Sequence, residues 1–225
     1  MDINNFVFLD FETDTKGEIF CATVKVGLTI EQIILNEDLR PLAEEKKLKT
    51  LTPLEFVKDL ETLLQNKTLA AYSEAEYNTI KQVLASANKK LTQTHYCNIR
   101  TVTRKYINSN SELKKQFDSL PPFLIGANDF QQKRMLWSLA SVSRLFPVTI
   151  PAQYHPGQTS KRFKAVINAL QLRNGEYSKL TPTQKAKATK ALKHNLFDVE
   201  VLPIIFTKIL KNNPNLLNRN IKTIE

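Results

Sequence analysis

The chain has 225 residues, of which 42% are hydrophobic, 24% charged and only five glycine, a composition that excludes a disordered chain and leaves room for one sizeable core. No apolar run approaches the roughly 18–20 residues of a membrane span, and the opening Met1-Asp2-Ile3-Asn4-Asn5 has no basic n-region, so the chain reads as cytoplasmic with no membrane partner. The net charge of +10 is uneven: residues 1–80 hold 8 Lys/Arg against 15 Asp/Glu, residues 81–195 hold 20 against 4, and the last thirty hold 4 against 3.

In chain order, residues 6–11 form an apolar run ending in acids, the pattern of a buried strand. Asp14-Thr15-Lys16-Gly17 is turn chemistry, residues 18–28 read as a second strand, and residues 32–35 as a third. A long polar segment follows. Thr52-Pro53 then opens a helix, with Thr52 as N-cap, Pro53 as first helical residue and Glu55 completing a capping box. Leu54, Val57, Leu60, Leu63 and Leu64 share its apolar face. Residues 68–72 read as a short strand, 74–87 as a helix, 94–99 as another strand and 100–117 as helical. Cys21 and Cys97 fall in strand-like stretches and read as buried free thiols rather than a disulfide; no CxxC pair or Cys/His cluster suggests zinc.

Residues 118–123, with Pro121-Pro122, read as a loop or hinge, 131–145 as a helix carrying Trp137, and 147–157 as irregular because of three prolines and a glycine. Helix returns at 160–172. Thr181-Pro182 repeats the helix-start signal, 186–210 is a long helical stretch bent near Pro203, and the tail from Asn212 is a docked or frayed extension. Three early strands, then strands alternating with helices, then a helical C-terminal half make an α/β fold with a mixed β-sheet flanked by helices. A single domain spans 1–225, with 118–175 as a basic, largely helical insertion. The order fits a ribonuclease-H-like core, although periodicity also permits other mixed α/β folds.

The chemistry concentrates in two places. Asp10 and Glu12 end the first strand, and side chains two apart on a strand point to one face. Carboxylates converging at the end of a sheet are what two-metal phosphodiester hydrolysis requires; a D-x-E pair also arises by chance at strand ends. His194 and Asp198 are four apart on the long helix and share a face. Asp198 can ligate a metal and His194 can take a proton from an attacking water, or the two can form a surface ion pair.

Val7-Phe8-Leu9-Asp10-Phe11-Glu12-Thr13 resembles motif I of the DEDD superfamily of ribonuclease-H-like 3′→5′ exonucleases, and His194-Asn195-Leu196-Phe197-Asp198-Val199 resembles its motif III. Three residues separate His194 from Asp198, which is the spacing of the tyrosine subclass with histidine in place of tyrosine. Motif II would lie in residues 69–84; Glu76 is its aligned acid and Glu74 the rival, where the family usually has aspartate. Tyr96-Cys97-Asn98-Ile99-Arg100-Thr101-Val102 resembles the segment after motif II, with Asn98 for an aspartate.

The resemblance covers about residues 5–107 and 183–210. It implies a metal-dependent 3′→5′ exonuclease with two Mg²⁺ or Mn²⁺ ions held by Asp10, Glu12, Glu76 and Asp198, with His194 catalytic. The implied partner is a single-stranded nucleic-acid 3′ end, DNA before RNA, with action alone or inside a larger repair, replication or processing complex left open. A catalytically inactive nucleic-acid-binding module on the same fold is the alternative, and a nuclease of other polarity a third. The basic middle suits a polyanion: Lys161 and Arg162 beside a helix start, with Lys133, Arg134 and Tyr154, and the series Lys185, Lys187, Lys190 and Lys193 leading toward His194, are candidate nucleic-acid contacts. The competing reading of each is a solvated lysine or a packed aromatic.

Overall fold

The computed structural model describes residues 2–90, 92–121, 136–149, 151, 158–218 and 220–224. Three strands open the chain: β1 (Phe6–Thr13), β2 (Ile19–Val26) and β3 (Thr29–Ile34). They pair antiparallel in sequence order. At the first turn Asp14 Oδ1 accepts from the backbone N–H of Lys16 and Glu18, both at 2.8 Å. The second turn is the two residues Gly27-Leu28, where Gly27 takes φ +57° and an added Cβ would stand 3.0 Å from Asn4 Oδ1. The third strand therefore begins earlier than residue 32, because so short a turn brings the chain straight back.

The polar segment after β3 is not a plain loop. It contains α1 (Arg40–Lys46) and a two-residue strand, β4 (Lys49–Thr50), parallel to β3. α2 (Pro53–Leu63) starts at the expected capping box: Glu55 N donates to Thr52 Oγ1 and Thr52 N to Glu55 Oε2. β5 (Thr68–Ala71), α3 (Glu74–Ser86) and β6 (Thr94–Asn98) follow, and β1, β5 and β6 run parallel. The stretch 100–117, expected to be helical, is two helices, α4 (Ile99–Asn108) and α5 (Ser111–Asp118), because Asn110 accepts from the Leu113 N–H and starts a new helix.

Within residues 118–175 the described helices are α6 (Leu139–Ser143) and α7 (Thr159–Gln171). The long helix α8 (Pro182–Asn212) begins at the Thr181 cap, with Gln184 completing the box, and runs through Pro203. The tail is docked. α9 (Asn215–Asn218) leads into β7 (Ile221–Ile224), which pairs antiparallel with β6. The result is an α/β fold with a mixed seven-stranded sheet in the order β4-β3-β2-β1-β5-β6-β7.

Alternation along β1 splits the core between the two faces of the sheet. Val7, Leu9 and Phe11 pack with Phe56, Val57 and Leu60 of α2 and Ile80, Val83 and Leu84 of α3. Phe6 and Phe8 face the second half of α8, where Phe206 meets them edge-on at ring distances of 5.0 and 6.1 Å. The first half of α8 packs with α1, α7 and Phe20 of β2, so α7 shares a core with the sheet. Lys164 of α7 also pairs with Asp14 at 2.5 Å. Cys21 and Cys97 are buried and form no disulfide. No described helix is long and apolar enough to cross a membrane.

Candidate functional site

Asp10 and Glu12 continue the Phe6–Phe8 face of β1 past the end of its apolar run, and so come to lie beneath α8. A register shift between Glu12 and Thr13 ends the regular pairing with β2 at that point. On α8, His194 and Asp198 stand one turn apart, with His194 Nε2 3.3 Å from Asp198 Oδ2. Helical spacing puts them on the stripe that also buries Ala191, Asn195 and Leu202. Asp10, Glu12, His194 and Asp198 together border a cavity of about 400 Å³, to which Thr159, Ser160, Tyr72, Ser73, Arg100 and Trp137 also contribute.

Ligand atoms of Glu12, His194 and Asp198 all lie within 4.8 Å of one another. Two carboxylates and an imidazole at that separation fit a divalent transition-metal ion such as Mn²⁺, and the two carboxylates without the imidazole also suit Mg²⁺. The electrostatics point the same way. Burial first, then the negative charges of Asp198, Glu12 and Glu76, hold the Asp10 carboxyl well above its ordinary range, against the pull of the Asn195 amide. Burial and Asp198 raise Glu12 likewise, opposed by a hydrogen bond from Thr159 and by the Arg162 guanidinium. Burial lifts Glu76 to about 7, against its hydrogen bonds from Ser73. Four acids in one another's field carry a strain that a bound cation would relieve.

The structure brings Asp10, Glu12, His194 and Asp198 to one cavity; Glu76 does not border it, although its charge acts on Asp10 and Glu12. Glu76 has a second occupation: its Oε2 accepts from Ser73 N at 3.3 Å and Ser73 Oγ at 3.0 Å, the capping box of α3. Glu74 lies elsewhere, exposed and 3.7 Å from Lys222 of β7. Asn98, standing where the motif resemblance has an aspartate, caps α4 through the Thr101 N–H at 3.0 Å.

Among the candidate nucleic-acid contacts, Arg162 acts electrostatically on Glu12. Lys161 is exposed on the same first turn of α7, and Lys190 is exposed one turn before His194. Lys185 is engaged locally, with its ammonium over the Tyr177 ring at 5.5 Å and donating to Ser178 O at 3.1 Å. Trp137 packs on Phe117 with ring centroids 4.2 Å apart and carries the Arg104 guanidinium at 5.2 Å. Lys133, Arg134 and Tyr154 lie outside the described residues.

Several residues at the site have no motif signal. Thr159 becomes a neighbour of Glu12 only because α7 packs against α8 and β2. Arg100 enters because its backbone N–H bonds to Tyr72 O at 2.9 Å, which turns the chain from β6 into α4 beside the cavity. Asn195 sits inside the motif III resemblance, yet its bonds to β1, β2 and β3 depend on register. No protein-family model, curated protein or solved structure matches the chain.

Proposed function

We propose that this protein is a metal-dependent 3′→5′ exonuclease of the DEDD, ribonuclease-H-like class, acting on single-stranded nucleic-acid ends. The observation that carries the reading is the convergence of Asp10, Glu12 and Asp198, with His194, on one cavity from positions nearly two hundred residues apart. The sheet adds support: three antiparallel strands, then strands alternating with helices, are the order the resemblance implies.

In this reading Asp10, Glu12, Glu76 and Asp198 would hold two divalent ions. When bound, such ions activate the attacking water and stabilise the leaving oxygen by Lewis acidity. His194, whose Nε2 lies 3.3 Å from Asp198 Oδ2, would take the proton of the attacking water once Asp198 ligates an ion and no longer occupies that nitrogen. Thr159 fixes the Glu12 carboxylate. Arg162, with Lys161 and Lys190 farther out, neutralises backbone phosphates and draws the strand toward the acids.

Asp10→Ala and Asp198→Ala are expected to abolish nucleotide release from a single strand while leaving the circular dichroism spectrum unchanged, and EDTA to abolish it in the parent chain. Full activity in either variant, or in EDTA, contradicts the reading. A strand blocked at its 3′ end stalls a 3′→5′ enzyme and one blocked at its 5′ end does not, which tests polarity separately. A second reading, a ribonuclease-H-like module that grips nucleic acid without cutting it, draws on the Glu76–Ser73 capping box, which gives that acid a structural duty. Strand binding without release of nucleotides, in Mg²⁺ or Mn²⁺, favours it.

A further inference from the structure

The antiparallel register sets Asp10 opposite Thr23 and Thr23 opposite Gln32, so three polar side chains form one rung across β1, β2 and β3 on the face toward α8. Asn195 stands over that rung, fully buried, as is Thr23. Its Oδ1 accepts from Thr23 Oγ1 and from Gln32 Nε2 at 3.1 Å, with Cys21 Sγ at 3.5 Å. Its Nδ2 donates to Asp10 Oδ2 at 2.6 Å and to Asp10 O at 3.2 Å.

The bonds have one direction. Gln32 Nε2 also donates to Leu192 O at 3.0 Å and to Thr23 Oγ1 at 3.1 Å. Thr23 accepts that bond and donates its own hydroxyl hydrogen bond to Asn195 Oδ1. A flip of the Asn195 amide would set NH₂ against NH₂ at Gln32 and strip the donor from Asp10, so the network permits a single orientation. Neither Thr23, Gln32 nor Asn195 borders the cavity, whereas Asp10 does. A sheet–helix contact of this kind is ordinarily filled with apolar side chains, and burying Thr23 and Asn195 beside the half-buried Asp10 and Gln32 is unfavourable unless all are bonded.

We propose that Asn195 is a positioning residue for Asp10. Held by Thr23 and Gln32, it occupies one carboxylate oxygen and leaves the other for a divalent cation, while it fastens α8 to β1 so that His194 and Asp198 stand opposite Asp10 and Glu12. This rests on the metal-dependent reading above.

The test measures Mn²⁺ binding to the full chain by calorimetry, the thermal midpoint without metal, and kcat and KM on a single strand. Asn195→Leu removes the donor at similar volume. Thr23→Val removes the hydroxyl that holds Asn195, and Thr23→Ser retains it. Expected are a 10–100-fold loss of Mn²⁺ affinity and of kcat in Asn195→Leu with KM unchanged, as for other residues that orient metal ligands. Thr23→Val loses in the same direction, and Thr23→Ser binds like the parent. If Asn195→Leu does not fold, the Thr23 pair carries the test alone. Parental Mn²⁺ affinity in Asn195→Leu and Thr23→Val overturns the positioning role and leaves the metal reading standing. Losses in Thr23→Val that Thr23→Ser shares, in step with the thermal midpoint, overturn it in favour of a structural role. A parent chain that binds no Mn²⁺ overturns the metal reading, and the positioning role with it.

Discussion

Asp10, Glu12 and Glu76 are carboxylates withdrawn from water into one another's field, and each is held above its ordinary pKa. An acid whose folded pKa exceeds its unfolded one binds more protons folded than unfolded, so stability falls as pH rises between the two values. For Glu76 that window runs from about 4.5 to about 7. The thermal midpoint of the EDTA-treated chain is therefore expected to fall across that window, and Mn²⁺ to raise it more at the upper end than at the lower. Asp10→Asn removes one of the repelling charges and flattens the slope. A metal-free midpoint that rises from pH 4.5 to 7, or a Mn²⁺ effect independent of pH, contradicts this. At this scale the sequence showed Asp10, Glu12, His194 and Asp198, since residue type and spacing alone place them on shared faces. Glu76 was preferred to Glu74 by alignment with the motif, and the fold separates the two by burial, since both sit in the first turn of α3 but only Glu76 is buried while Glu74 is exposed beside Lys222.

Elements with a chemical signature at their ends were legible. Thr52-Pro53 and Thr181-Pro182 start helices where cap chemistry requires, and the alternation of β1 sorts its residues onto two faces. The elements that escaped are those stabilised by partners rather than by their own pattern. α1 buries only Leu42 and Ala43, too little for a visible period. The break at Asn110 interrupts an unbroken helical rhythm by side-chain capping. β7 comes from an asparagine-rich tail and is a strand because the edge of β6 is there to pair with. The contact that fixes α8 over the sheet centres on Phe206, fully buried against Phe6 and Phe8. Phe206→Ala is expected to lower stability by about 3–5 kcal/mol, read from urea unfolding. A loss under about 1 kcal/mol would mean that the helix is held by something else.

Over the whole molecule, the fold joins what the chain order keeps apart. Strand β1 comes from the acidic front, and α7 and the first half of α8 from the basic stretch, so the acids Asp10 and Glu12 meet the Arg162 guanidinium at one end of the sheet. The charge imbalance was legible as composition, and its meaning was not, since Lys185 serves a local packing role while Arg162 reaches Glu12. Asn195 shows the limit most clearly: a buried asparagine in a helix has no sequence signature, and its part in the site exists only through the rung of Asp10, Thr23 and Gln32. The central claim is that this convergence of acids is a two-metal phosphodiesterase centre. The most direct measurement is a crystal structure with Mn²⁺ and anomalous scattering data. The expected result is two ions about 3.5–4 Å apart with oxygens of Asp10, Glu12 and Asp198 around them. No ion at the cavity, or a single ion on Glu12, His194 and Asp198 with Asp10 still held only by Asn195, would contradict it.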